Sequence, residues 1–189
     1  MYCVKSQQYI EDQIKKSRFI GIIAPCNHEQ EALSLLKQLH NDYPDASHIV
    51  YAYRIKTDQG IIYRFHDAGE PTGTAGKPIF QQIDGKALIN VLLVVVRYFG
   101  GIKLGAGGLT RAYSNTAKHI IEAADIAPYV EWVMLSMTLA YHQLQEFQYT
   151  LKKLDGLILS QDFAEQIHLN VQLPKVNSVL LKQAYPAIY

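Results

Sequence analysis

Apolar positions in this chain follow two rhythms, one residue in two or one in three to four, and a single run obeys neither. That run, Leu92 to Val96, lies within the apolar stretch Leu88–Val96 and predicts a strand buried on both faces. Upstream, residues 1–17 are polar and predict no element. Lys15-Lys16-Ser17-Arg18 leads into apolar Phe19–Ala24, the first strand expected. These cations could help hold a phosphate backbone, but a short charge run is usually a solvated lead-in. Pro25 ends the strand, and Asn27 with Gln30 has the capping-box spacing. Ala32, Leu35, Leu36 and Leu39 share a helical face, so a helix is expected to about Tyr43, before Pro44. Ile49–Ile55 and Ile61–Phe65, joined by Thr57-Asp58-Gln59-Gly60, predict a β-hairpin.

A polar loop, His66 to Pro78, follows, with Pro78 in the first turn of a short helix through Gln82 capped by Thr74 or a neighbour. Beyond the buried strand, a glycine-laden loop opens into a helix whose face is Leu109, Ala112, Tyr113, Ala117, Ile120, Ile121 and Ala124. Asp125-Ile126-Ala127-Pro128 marks a boundary, giving expected domains 1–127 and 128–189. The second has alternating Val133–Leu139, a helix through Leu144, Phe147, Leu151 and Leu154 stopped at Asp155-Gly156, and a short strand Leu157–Ser160. A strictly alternating strand, Ile167–Leu173, precedes a helix opened by Pro174 and containing Val176, Val179 and Leu180. The order β-α-β-β-α is most of a ferredoxin-like unit lacking its closing strand. Either the chain is cut there or the sheet makes do with three strands. The fold class expected is α+β in two domains.

Composition narrows the function. Eighteen basic against 17 acidic residues leave a formal charge of +1, so any polyanion site must come from local clustering. Cys3 and Cys26 form neither a disulfide framework nor a metal pattern, which fits a reducing cytosol. Glu11, Asp12, Lys15, Lys16 and Arg18 argue against a signal peptide near the start, and Ala87–Val96 is too short to span a bilayer. A cytoplasmic protein without membrane partners is expected.

The candidate chemistry sits in two glycine loops. The first carries Asp67, Gly69, Glu70, Thr72, Thr74, Gly76 and Lys77; the second carries Gly100, Gly101, Lys103, Gly105, Gly107 and Gly108, between Arg97-Tyr98 and Arg111. Glycines permit positive φ and let another molecule approach bare backbone, and a helix start attracts anions. Two such loops with convergent cations point to a phosphate or polyanion site. Asp67 and Glu70 read either as acid/base groups or ion ligands, or as an Asx-type cap and an ion-pair partner for Arg97 or Arg111. The second reading is favoured, because no serine or cysteine nucleophile with a base accompanies them. His48 and His66 near strand ends read as structural, with no metal-ligand spacing. Tyr51, Tyr53 and Arg54, opposite Tyr63 and Arg64, could stack bases and hold phosphates, although alternation divides them between two faces.

Asp67–Pro78 and Val94–Leu109 together resemble the two signatures of the IMPACT family, and Lys15–Phe19, Ser47-His48 and Tyr51–Arg54 resemble its minor motifs. Two departures stand out: the family usually has a second aspartate at Ala68 and an Asn-Cys pair at Ile49-Val50. The resemblance implies an N-terminal domain like the second domain of a small-subunit ribosomal protein and domain IV of elongation factor G. It implies a C-terminal domain like that factor's domain V. Eukaryotic relatives look like translation regulators acting on the activator of an initiation-factor kinase, a circuit bacteria lack. The resulting expectation is a non-catalytic RNA- or ribosome-associated protein of translation, with a protein partner also open. Lys77, Arg97, Lys103, Arg111, Arg54 and the glycine backbones would hold phosphate, with Tyr51 and Tyr98 at bases and His48 in support. No catalytic residue, cofactor or metal is expected. The alternatives are a phosphotransferase or hydrolase of a small phosphorylated substrate, and a protein-docking module.

Overall fold

The computed structural model describes residues 1–185, which divide into two compact units, Met1–Tyr129 and a second from Val130 on. The first contains β1 (Tyr2–Val4), β2 (Gln8–Ile14), β3 (Ser17–Pro25), α1 (Glu29–Asp42), β4 (His48–Thr57), β5 (Gly60–His66), α2 (Gly76–Gly85), β6 (Val91–Tyr98), α3 (Gly105–Ala123) and β7 (Ile126–Pro128). Five strands form one antiparallel sheet in the order β2-β3-β6-β4-β5. β6 is central, and parity along it assigns the two cores. Leu92, Val94 and Val96 pack with Ala32, Leu36 and Leu39 of α1. Val91, Leu93 and Val95 pack with Ile79 and Ile83 of α2 and Leu109, Tyr113 and Ile120 of α3. The unbroken apolar run is thus a strand with helices on both faces.

Residues 1–17 are not a featureless lead-in. β2 and β3 form a hairpin whose two-residue turn is Lys15-Lys16, with φ of 44° and 67°. Right-handed strand twist favours such a turn. β2 leaves little trace in the sequence because it is an edge strand in which only Ile10 and Ile14 reach the core among polar neighbours. β1 pairs with β7, tying the start of the unit to its end. At α1 the cap is His28, and Glu31 rather than Gln30 reaches back, accepting the Asn27 backbone N–H at 2.7 Å.

The second loop meets the hairpin tip directly. A Cβ placed on Gly100 would lie 2.0 Å from the Lys16 carbonyl oxygen. Gly76 is also confined, though less tightly, its imagined Cβ 2.7 Å from the backbone nitrogen of His66. These two glycines admit the protein's own backbone rather than a ligand. Gly100→Ala is therefore expected to displace either the loop or the hairpin tip. The cost should be about 1–3 kcal/mol or more, read from the urea midpoint against a control at Gly85, where an added Cβ meets nothing within 4 Å and φ is not positive.

The second unit contains β8 (Trp132–Leu139), a 3₁₀ turn at Tyr141–Gln143, α4 (Leu144–Lys153), β9 (Leu157–Phe163), β10 (Ile167–Pro174) and α5 (Lys175–Ala184). Its antiparallel sheet runs β8-β10-β9, the ferredoxin-like order for three strands. Phe147, Leu151 and Leu181 cover Met137, Leu139, Leu169 and Val171 on one face. The other face is wet: Ser136 Oγ donates to Asn170 Oδ1, whose amide donates to Ser160 Oγ. Val176, Val179 and Leu180 lie on α5 as expected, but all three are exposed.

Candidate anion-binding end of the sheet

Strand direction gathers the candidate residues. The pairs Ile14–Ser17, Arg18–Tyr98, His48–Arg97 and Tyr51–His66 show that β2 and β6 end, and β3 and β4 begin, at one end of the sheet, with the end of β5 beside them. That end holds the Lys15-Lys16 turn and both glycine loops. Ser17 Oγ accepts the Gly100 N–H at 3.1 Å and Ser47 Oγ the Phe99 N–H at 3.0 Å, fixing the second loop to β3 and the residue before β4.

The first loop is organised by its two carboxylates. Asp67 accepts the N–H groups of Gly73, Ala75 and Gly76 at 2.8, 3.1 and 2.8 Å, so it supplies the acceptor that α2 lacks at its N-terminus. Thr74, the expected cap, instead donates to the Pro71 carbonyl. Burial works to raise the Asp67 carboxyl, but the three backbone bonds outweigh it and hold it below the usual carboxylate range. Glu70 is buried. It accepts from Arg97 Nη1 at 2.5 Å and Tyr113 OH at 2.7 Å, and His48 Nε2 lies 3.8 Å away. His48 Nδ1 donates to the Ala68 carbonyl at 2.9 Å, which fixes its tautomer. Burial first, then the Glu70 charge, push the Tyr113 hydroxyl up, so it remains a donor.

This arrangement changes the roles of several expected residues. Arg97 is 4% exposed, paired with Glu70 and flanked by the rings of Phe19 and Phe99 at 5.3 and 5.5 Å. It anchors the loop from beneath instead of facing solvent. Its Nε has no hydrogen-bond partner among the described residues. Arg54 lies opposite Val91, towards the far end of β6, and is bound to the Leu88 carbonyl and to Asp84. Tyr51 stacks between Tyr53 and His66, and Tyr98 lies under Arg18. Arg54 is therefore not brought to the loops, whereas Tyr51 stands at the start of the first loop with its ring engaged in that stack.

Other candidates do converge. Glu70, Pro71, Arg97, Phe99, Lys103 and Gly105 line one hollow of about 290 Å³, so both loops border it. A second hollow of about 290 Å³, lined by Lys15, Leu104, Gly108 and Arg111, shares Leu104 with the first. Lys15, Lys16, Lys77, Lys103 and Arg111 are exposed and form no ion pair among the described residues. Read from sequence alone, Lys15 and Lys16 belong to a solvated lead-in, whereas the fold carries them to the loop end of the sheet. The signal for them was the hairpin itself: Ile10 and Ile14 with polar neighbours, then two cations and a serine. At α3 the first turn begins on Gly105 with no side-chain cap. Gly69, Thr72 and Gly101 line exposed loop, and Gly107 opens towards Arg111.

A five-stranded antiparallel sheet flanked by helices, followed by a small ferredoxin-like unit, places the chain among two-domain α+β proteins. Comparison with known sequences is specific: the Impact N-terminal domain matches residues 15–121, and an IMPACT family member of Thermus thermophilus is 44% identical over 131 residues, 69% of each chain. This chain belongs to the IMPACT family. A crystal structure of a hypothetical protein superposes with a TM-score of 0.69 at 30% identity, covering 100% of this chain and 94% of that one. The two-domain translational regulator Yih1 gives a TM-score of 0.39 at 23% identity, over 65% of this chain and 47% of its own. Among the described residues no helix is long and apolar enough to cross a membrane, and no cluster of histidine, cysteine or carboxylate side chains is arranged to hold a metal ion.

Proposed function

We propose that this protein contacts RNA, on or off the ribosome, in the service of translation, and that the contact is made by the loop end of the large sheet. Family membership supports the translation half of this reading. The RNA half rests on one observation: exposed, unpaired cations from separate segments, Lys15, Lys103 and Arg111, line two adjoining hollows, with Lys16 next to Lys15 in the hairpin turn. A net charge of +1 gives no general attraction for polyanions, so this local excess would carry the contact. Lys77, exposed in the first turn of α2, lines neither hollow and is not counted in this excess. Arg97, held by Glu70, supports the loops and is not counted among the phosphate-contacting cations. The carboxylates are engaged structurally, which supports binding over catalysis.

The test is a filter-binding salt titration with structured RNA. Affinity should fall linearly on logarithmic axes as salt rises, and each of Lys15→Ala, Lys103→Ala and Arg111→Ala should lower the slope by about 1. An affinity indifferent to salt, or unchanged in the triple variant, defeats the proposal.

A further inference from the structure

The hollow between the two glycine loops has features that backbone phosphate contact does not require. Its walls include Pro71, Phe99, Leu104, Ala106 and Leu109, so most of the lining is apolar. One end is the first turn of the 19-residue helix α3, which has no side-chain cap, with Lys103 beside it. The protein supplies α2 with its own carboxylate, Asp67, and supplies α3 with none. Arg97, 4% exposed, lines the same hollow and keeps a buried Nε–H without an acceptor. A buried donor left unpaired is a place where an incoming acceptor gains a full bond. Phe99, 48% exposed, offers a ring face at the rim.

From this we infer that the hollow binds one nucleoside 5′-monophosphate unit, either free or as the terminal residue of an RNA. The phosphate lies on the N-terminal turn of α3 beside Lys103, where N–H groups and the helix dipole favour negative charge. The base occupies the apolar part against Phe99, and one of its ring or carbonyl acceptors serves the Arg97 Nε–H once the exposed Phe99 ring turns aside. Size limits the occupant. At about 290 Å³ the space lies at the low end of small-molecule sites, sufficient for a single nucleotide's base and not for a stack. An inorganic anion would leave the apolar walls unused, and an uncharged aromatic molecule would leave the helix terminus unused. The inference deepens the RNA reading and rests on it only for the source of the nucleotide.

Calorimetric titration of the full chain with the four nucleoside 5′-monophosphates, ribose 5-phosphate and inorganic phosphate tests it. At least one monophosphate should bind about 5- to 150-fold tighter than ribose 5-phosphate, the range that stacking of one base supplies. Ala106→Trp, which fills the hollow from an exposed position on the first turn of α3, should abolish that binding without shifting the urea midpoint. Equal affinity for the monophosphates and ribose 5-phosphate, no binding by any, or undiminished binding in Ala106→Trp overturns the inference. A 5′-phosphorylated oligonucleotide that outcompetes its 5′-hydroxyl counterpart identifies an RNA end as the source. Preference for the free monophosphate over both oligonucleotides identifies a free nucleotide, and either result supports the site. If no monophosphate binds while RNA binding keeps its salt slope, this inference alone fails. If monophosphates bind while RNA binding lacks a salt slope, the RNA reading alone fails.

Discussion

Glu70→Ala is expected to destabilise the protein by about 3–5 kcal/mol, because it strips a buried Arg97 of its counter-charge. Tyr113 loses its acceptor in the same change. Against a typical folding stability of about 5–15 kcal/mol, such a loss removes a large fraction. Glu70→Gln keeps an acceptor for both donors and should cost less. Replacing both partners, with Glu70→Leu and Arg97→Met, should restore much of the stability, since the penalty comes from an unpaired charge and not from the absence of the pair. Urea unfolding of the four proteins decides the matter, and a loss below about 1 kcal/mol in Glu70→Ala would refute the account. A fifth protein, Arg97→Met alone, separates support from phosphate contact: it should lose stability and leave the slope of the RNA salt titration unchanged.

Asp67→Ala should cost about 2–4 kcal/mol. It removes the cap of α2 together with three hydrogen bonds to a charged acceptor, at a partly buried site. The carboxyl also fixes a direction in pH. Its folded value is depressed, so its contribution is fully present above the unfolded value of about 3.9 and is lost as pH falls through the folded value. Wild-type stability should therefore decline below about pH 4 more steeply than that of Asp67→Asn, which keeps one acceptor and cannot titrate. Parallel acid-denaturation slopes for the two proteins would show that Asp67 holds no charge-dependent bond.

The elements with a sharp period were legible from the residues. The apolar run to Val96, the hairpin around Thr57–Gly60, the helix face through Ala112, Tyr113 and Ile120, and the alternation of Ile167–Leu173 each match an element of the structure. Each has a well-defined buried face, which is what a period records. β2 and the short strands β1 and β7 have too little buried surface to leave such a trace. In the site, the local reading of the carboxylates could be made because its chemistry is local: an aspartate facing backbone N–H groups, a glutamate needing a cation. The part played by Gly100 could not, because its neighbour, Lys16, is more than eighty residues away in sequence. The same distance hid the meeting of Lys15 with Arg111. Arg97 and Arg54 misled for a different reason. A cation beside a loop or an aromatic residue looks available in sequence, and only the fold shows which carboxylate or carbonyl has already taken it.

The abutment of Gly100 on the backbone at Lys16 has a mechanical consequence. Hairpin tip and loop act as one stiff latch, with the Ser17 hydroxyl as a second fastening point. Lengthening the tip by a single residue would unseat the loop and swing two lysines away from Lys103 and Arg111. The spacing of the charges is thus inherited from a backbone contact in which no charged atom takes part.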